Sequence, residues 1–137
     1  MTEVLSDMAS GLYDIAKEGF LGGTLGWNSG VVKAQLVGTG YTANFSTHED
    51  LADISAKIAP PIEVQVRTIT NGVADAQDLV FESLSPGQVV AACVIYLDTG
   101  TAATSTLIAY IDDLDVTTTG GDLTVEWDSG ANKIWSF

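Results

Sequence analysis

The residues in this chain that could carry chemistry are mostly carboxylates. Asp112, Asp113 and Asp115 follow an apolar run, with Asp98 and Asp122 as further candidates, and on a flexible turn such oxygens could hold Ca²⁺ or Mg²⁺. Their spacing is not that of an EF-hand loop, and keeping a sheet edge soluble is the more ordinary use of such a cluster. Glu63, Glu82 and Glu126 could supply a glycosidase pair, but outward positions of alternating strands are where Glu is commonplace. The single histidine, His48, stands beside Glu49 and Asp50 with no nucleophile paired to it, so a solvated helix-start position outweighs a catalytic base. The single cysteine, Cys93, lies in the most apolar stretch and reads as a buried structural thiol. One Cys and one His cannot furnish the three or four soft ligands of a zinc site. No G-x-S-x-G elbow is present, and Gly19, Gly22 and Gly23 neither follow a strand nor carry a Walker lysine. The expectation is a non-enzymatic protein with no cofactor and no metal.

The elements that would position these residues are organised around Gln88 to Asp113, which reads as a β-hairpin. Val89, Ala91, Cys93, Ile95 and Leu97 point one way and Val90, Ala92, Val94 and Tyr96 the other. Both faces are apolar, so the strand is expected in mid-sheet, with Asp98 to Gly100 as the turn and Leu107 to Ile111 as the second arm. From Thr2 to about Phe20, Leu5, Met8, Leu12, Ile15 and Gly19 recur at helical spacing, which predicts an amphipathic helix stopped by Gly22 and Gly23. Its stripe either covers the protein's own sheet or docks on a partner subunit. Val31 to Val37 reads as a strand, Tyr41 to Phe45 as a short one, and Ser46 to Ile54 as a short helix or helical turn capped by Ser46 or Thr47.

Pro60-Pro61 is expected to stop that helix and open an alternating strand with Ile62, Val64 and Val66 inward. Asn71-Gly72 is a hairpin turn signal, followed by a strand over 78–84. Val116 to Thr119, then Leu123 to Trp127 after Gly120-Gly121, and finally Lys133 to Phe137 complete the pattern. The sum is about eight strands with Gly, Pro, Asn and Asp between them: a mainly β, antiparallel sandwich or jelly-roll-like domain with one N-terminal helix. A single domain over 1–137 is expected, with 1–23 as the helix and 27–137 as the β-sandwich, because 137 residues are too few for two ordinary domains.

The chain is 46% hydrophobic and only 17% charged, so its surface is rich in Thr, Ser, Gly and Asn, a composition suited to packing against neighbours. Eighteen acids against five Lys and Arg give a net charge of −13, which opposes approach to nucleic acid or anionic lipid. After Arg67, ten acids face only Lys133, so a charged partner of that half should be basic. No signal-peptide pattern and no run of roughly 20 apolar residues is present, so a protein made and kept in the cytosol, or released by lysis, is expected.

The segments GLYDIAKEGFL at Gly11 to Leu21, VIYLDTGTAATSTLIAYIDD at Val94 to Asp113 and GGDLTVEWDSGANKIWSF at Gly120 to Phe137 resemble a family of small tailed-bacteriophage and prophage structural proteins over nearly the whole chain. Family members usually carry a Pro where this chain has Asp115. The resemblance implies a virion component and brings no catalytic residues. Among virion roles, a capsid cement or decoration protein fits best, bound to major capsid protein on the outer head surface and to itself as a dimer or trimer. Leu5, Met8, Leu12, Ile15 and Phe20 are then the candidate interface residues. A tail or head-neck component is the alternative, as is a glycan- or receptor-binding module using Trp27, Trp127 or Trp135 for stacking.

Overall fold

A computed structural model of the protein describes residues 2–5, 10–71, 73–111, 114, 116–127 and 135–136. In chain order the elements are β1 (Thr2–Leu5), β2 (Ser10–Leu12), α1 (Asp14–Gly22), β3 (Val31–Val37), β4 (Lys57–Glu63), β5 (Thr68–Thr70) and β6 (Val73–Asp75). There follow β7 (Leu79–Phe81), β8 (Val89–Val90), β9 (Ala92–Asp98), β10 (Leu107–Ile111), β11 (Val116–Thr117), β12 (Leu123–Trp127) and β13 (Trp135–Ser136). The fold is mainly β with one α-helix among the described residues. More strands form than the expected eight because several are only two or three residues long.

The largest sheet has the order β2-β10-β9-β3-β4 and is antiparallel throughout. β9 occupies its middle, as two apolar faces require. Ala92, Val94 and Tyr96 belong to one buried cluster with Tyr13, Tyr41 and Ile54, while Cys93 and Ile95 join the other with Val32, Leu36 and Ile58. A strand apolar on both faces must be covered on both, and the two clusters supply that cover. β10 keeps the alternation except at a bulge, where Leu107 pairs with Tyr96 and Ala109 with Ile95; the extra residue Ile108 and Ala109 both turn to the Cys93 side.

That second cluster is shared with a three-stranded sheet of order β1-β12-β7 through Leu79, Phe81, Leu123, Val125 and Trp127. The alternation expected over Leu123 to Trp127 is observed, with Leu123, Val125 and Trp127 buried. Two smaller sheets, β11-β8 and β13-β6-β5, complete the fold. Asn71 turns β5 into β6 with φ of 53°, the left-handed conformation that Asn tolerates and a two-residue hairpin needs.

The short strand expected over Tyr41 to Phe45 does not form, and four further expectations are corrected. The helix does not begin at Thr2: Thr2–Leu5 is a strand paired parallel to β12, Ser10–Leu12 is a strand on β10, and α1 covers only Asp14–Gly22. Gly11 marks the reason. A Cβ there would come within 2.9 Å of the Phe45 ring, so the residue is a close-packing glycine in a strand and not a tolerated defect in a helix. The helical N–H groups start instead at Tyr13, where backbone bonds from Tyr13 to the Ile108 carbonyl and from Asp14 to the Phe45 carbonyl take the place of a side-chain cap. Gly23, at φ of 78°, ends the helix as expected.

Second, of the helix or helical turn expected over 46–54 the turn forms, a 3-10 turn over Leu51–Asp53, but it is capped reciprocally by Asp50 and Asp53 and not by Ser46 or Thr47. Third, the strand expected to open at Pro60-Pro61 begins three residues earlier, at Lys57, and ends at Glu63. β4 runs through both prolines because it is an edge strand, where a missing N–H costs no ladder bond. Val64 is buried as expected, Ile62 half-buried, and Val66 is turned outward at φ of 53°. Fourth, the strand expected to begin at Val89 is interrupted at Ala91, where β8 pairs with β11 before β9 begins.

Candidate functional site

The carboxylates are used singly. Asp98 Oδ2 lies 2.9 Å from Lys33 Nζ, and its Oδ1 accepts the Gly100 N–H at 3.0 Å. The Lys33 hydrogen bond, followed by the Gly100 N–H, holds its carboxyl below the usual range. Asp122 Oδ1 accepts the Ser83 N–H at 2.8 Å. Both acids tie down turns. Asp112, Asp113 and Asp115 lie outside the described residues, and among the described ones no three His, Cys, Asp or Glu side chains converge as metal ligands. Glu63 and Glu82 are exposed, and Glu126 is half-buried between inward Val125 and Trp127.

His48 is the end of a hydroxyl chain that the sequence did not reveal. The Tyr13 hydroxyl lies 2.7 Å from the Tyr41 hydroxyl, which lies 2.8 Å from His48 Nδ1. The Asn44 N–H also reaches Nδ1, at 3.3 Å, and a backbone N–H can only donate. Nδ1 therefore carries no proton in this arrangement, Tyr41 donates to it, and Tyr13 donates to Tyr41. Tyr13, Tyr41, Phe45 and Tyr110 also stack edge-on or tilted with ring centroids 5.3 to 6.2 Å apart. Burial raises the Tyr13 phenol well above its ordinary value, and burial is also the first cause of the rise at Tyr41. With one end of the chain in the core, these groups brace α1 against the 41–54 loop. The residue types alone could not show this, because Tyr13 and Tyr41 meet only in the fold.

Cys93 has no exposed surface, and burial pushes its thiol up to about 12. Trp27 and Trp127 are buried, and their indole N–H groups donate to the Asp75 and Gln77 carbonyls at 3.1 Å. Neither offers an open ring face for a sugar.

Of the candidate interface residues, Leu12 and Phe20 pack half-buried against the cluster shared by the two sheets, and Ile15 packs against the tyrosine cluster. Leu5 lies in β1, and Met8 lies outside the described residues. The apolar side chain that α1 presents outward is Leu21, 85% exposed. Among the described residues, Val66 at 70% and Ile69 at 55% are the other large apolar groups left mostly in water. No described helix is long and apolar enough to cross a membrane. No family model, curated protein or solved structure matches this chain.

Proposed function

We propose that the protein is a non-enzymatic virion component, a cement or decoration protein that binds the outside of a phage head and bridges major capsid subunits. In this reading the two larger sheets form a sandwich of the jelly-roll kind, with their shared hydrophobic cluster as its filling. The supporting observation is the exposure of Leu21, Val66 and Ile69 on a β-sheet scaffold whose central strand is buried on both faces. These side chains are where this reading puts the contacts with capsid subunits. The net charge of −13 favours the outer surface, away from packaged DNA. A dimer or trimer at a symmetry axis would let each copy hold two assembled subunits and stabilise the shell by mass action. The test is to strip the protein from purified particles and heat them: stripped heads should release DNA at a lower temperature, and re-addition should restore it. Equal heat resistance, or presence of the protein in tails alone, would reject this function.

A further inference from the structure

β5 is an unguarded sheet edge. It closes the order β13-β6-β5 and is paired on one side only among the described strands. Thr68, Ile69 and Thr70 are all exposed, Ile69 at 55%. β4, an edge of the largest sheet, carries Pro60 and Pro61, whereas Thr68–Thr70 has no proline and no charge to deter a further strand. Positive φ at Val66 and at Asn71, 53° in each, bounds the extended edge to Arg67 through Thr70.

The hairpin geometry decides which backbone groups this edge offers. Two residues separate Thr70 from Val73, so Thr70–Val73 is a hydrogen-bonded pair, Ile69–Ala74 a non-bonded one and Thr68–Asp75 bonded again. The N–H and C=O of Ile69 therefore point away from β6 to the open side. Ile69 and Ala74 are opposite partners on one face, and Ala74 belongs to the hydrophobic cluster shared by the two larger sheets. The Ile69 side chain thus stands at the margin of the core.

We infer that a second copy of the chain pairs with this edge, β5 against β5 in antiparallel register, with Ile69 on the two-fold axis. Two features favour a copy of itself over another partner. Thr68-Ile69-Thr70 is a palindrome, so antiparallel pairing about Ile69 sets Ile69 against Ile69 and Thr68 against Thr70, with both outward groups of each Ile69 bonded across the axis. The charge also fits. A chain of −13 repels its own copies over most of its surface, yet no acid lies between Glu63 and Asp75. Each Arg67 falls opposite Asn71 of the other copy, and the two Arg67 positions are roughly 14 Å apart along the strands, beyond the screening length of about 8 Å in physiological salt. Three residues of edge make a weak contact alone; its place in a shell, where neighbouring copies are held close, rests on the bridging role proposed above. Within that role Ile69 serves the contact between copies and Leu21 remains for the capsid.

The experiment follows the purified full chain by sedimentation velocity and by amide hydrogen exchange as its concentration rises. A dimer is expected with half-association below about 1 mM. The Ile69 amide, open to water in the monomer, should exchange at least about tenfold more slowly in the dimer, while the Thr68 and Thr70 amides, already bonded to β6, change little. Ile69→Lys, which sets two ammonium groups face to face, should weaken association by about tenfold or more, and Leu21→Lys should leave it unchanged. A monomer up to about 1 mM, a dimer whose Ile69 amide stays open, or a dimer lost in Leu21→Lys and kept in Ile69→Lys would overturn the inference. The exchange measurement on the unaltered chain decides the matter even if Ile69→Lys does not fold. Both readings are made on the isolated protein, so a monomer would leave the heating of stripped particles to decide the cement role, and equal heat resistance there would leave the dimer standing.

Discussion

Tyr13 holds its phenolic proton in the core, and that gives alkaline stability a definite sign. Burial raises Tyr13, Tyr41 and Tyr96 above the unfolded value of 10.0, Tyr96 to about 12 with Asp98 adding to the effect. The folded chain thus retains protons that the unfolded chain loses, so stability is complete below pH 10 and declines as the pH rises past it. Thermal denaturation at increasing pH should show Tm falling from near pH 10, less steeply in Tyr13→Phe; an unchanged profile in that variant would remove Tyr13 from the account. Asp98 has the opposite sign. Its lowered value means that stability is present above the ordinary carboxylate value of 3.8 and lost as the pH falls below it, and Asp98→Asn should flatten the acid limb of the same measurement. Cys93, with its thiol pushed up to about 12 and no exposed surface, should react with a thiol reagent only after denaturant is added. Labelling of the native protein on the time scale of a free thiol would show that β9 opens.

Among the elements, β3 and β4 carry the least obvious dependence. Between Ala34 and Leu36 on β3, the β4 partners jump from Ile62 to Ile58, so β4 bulges outward through Ala59, Pro60 and Pro61. The buried Gln35 amide fills that irregularity, donating to the carbonyls of Ile58 at 3.1 Å, Ala59 at 2.8 Å and its neighbour Leu36 at 3.0 Å. Replacing Gln35→Leu keeps the volume but strands buried carbonyls, and a loss of about 2 kcal/mol in urea unfolding is expected. A neutral result would mean that water reaches the bulge. Ile95→Ala, in the strand buried on both faces, should cost about 2 to 5 kcal/mol, while Leu21→Ala on the outer end of α1 should change little. The contrast separates core from candidate contact surface: Leu21→Ala is expected to weaken particle binding without lowering Tm.

For the whole molecule, the charge of −13 predicts that the isolated protein leaves duplex DNA unretarded in a gel at low salt, where any electrostatic attraction would be greatest. The mainly β class, the buried Cys93 and the central position of β9 were legible in the sequence, because alternation of side chains across a strand is a local property. The strand limits of β3 and β12 were legible for the same reason. Legibility failed where distant contacts outweighed local pattern. Residues 2–12 show a helical spacing of apolar groups, yet Thr2–Leu5 pairs with β12 and Ser10–Leu12 with β10, more than ninety residues away in sequence for each pair. The Tyr13–Tyr41–His48 chain and the bulge closed by Gln35 share this origin. Each joins segments that no window of sequence contains together, so only the tertiary structure, by bringing edges and hydroxyls within bonding distance, decided them.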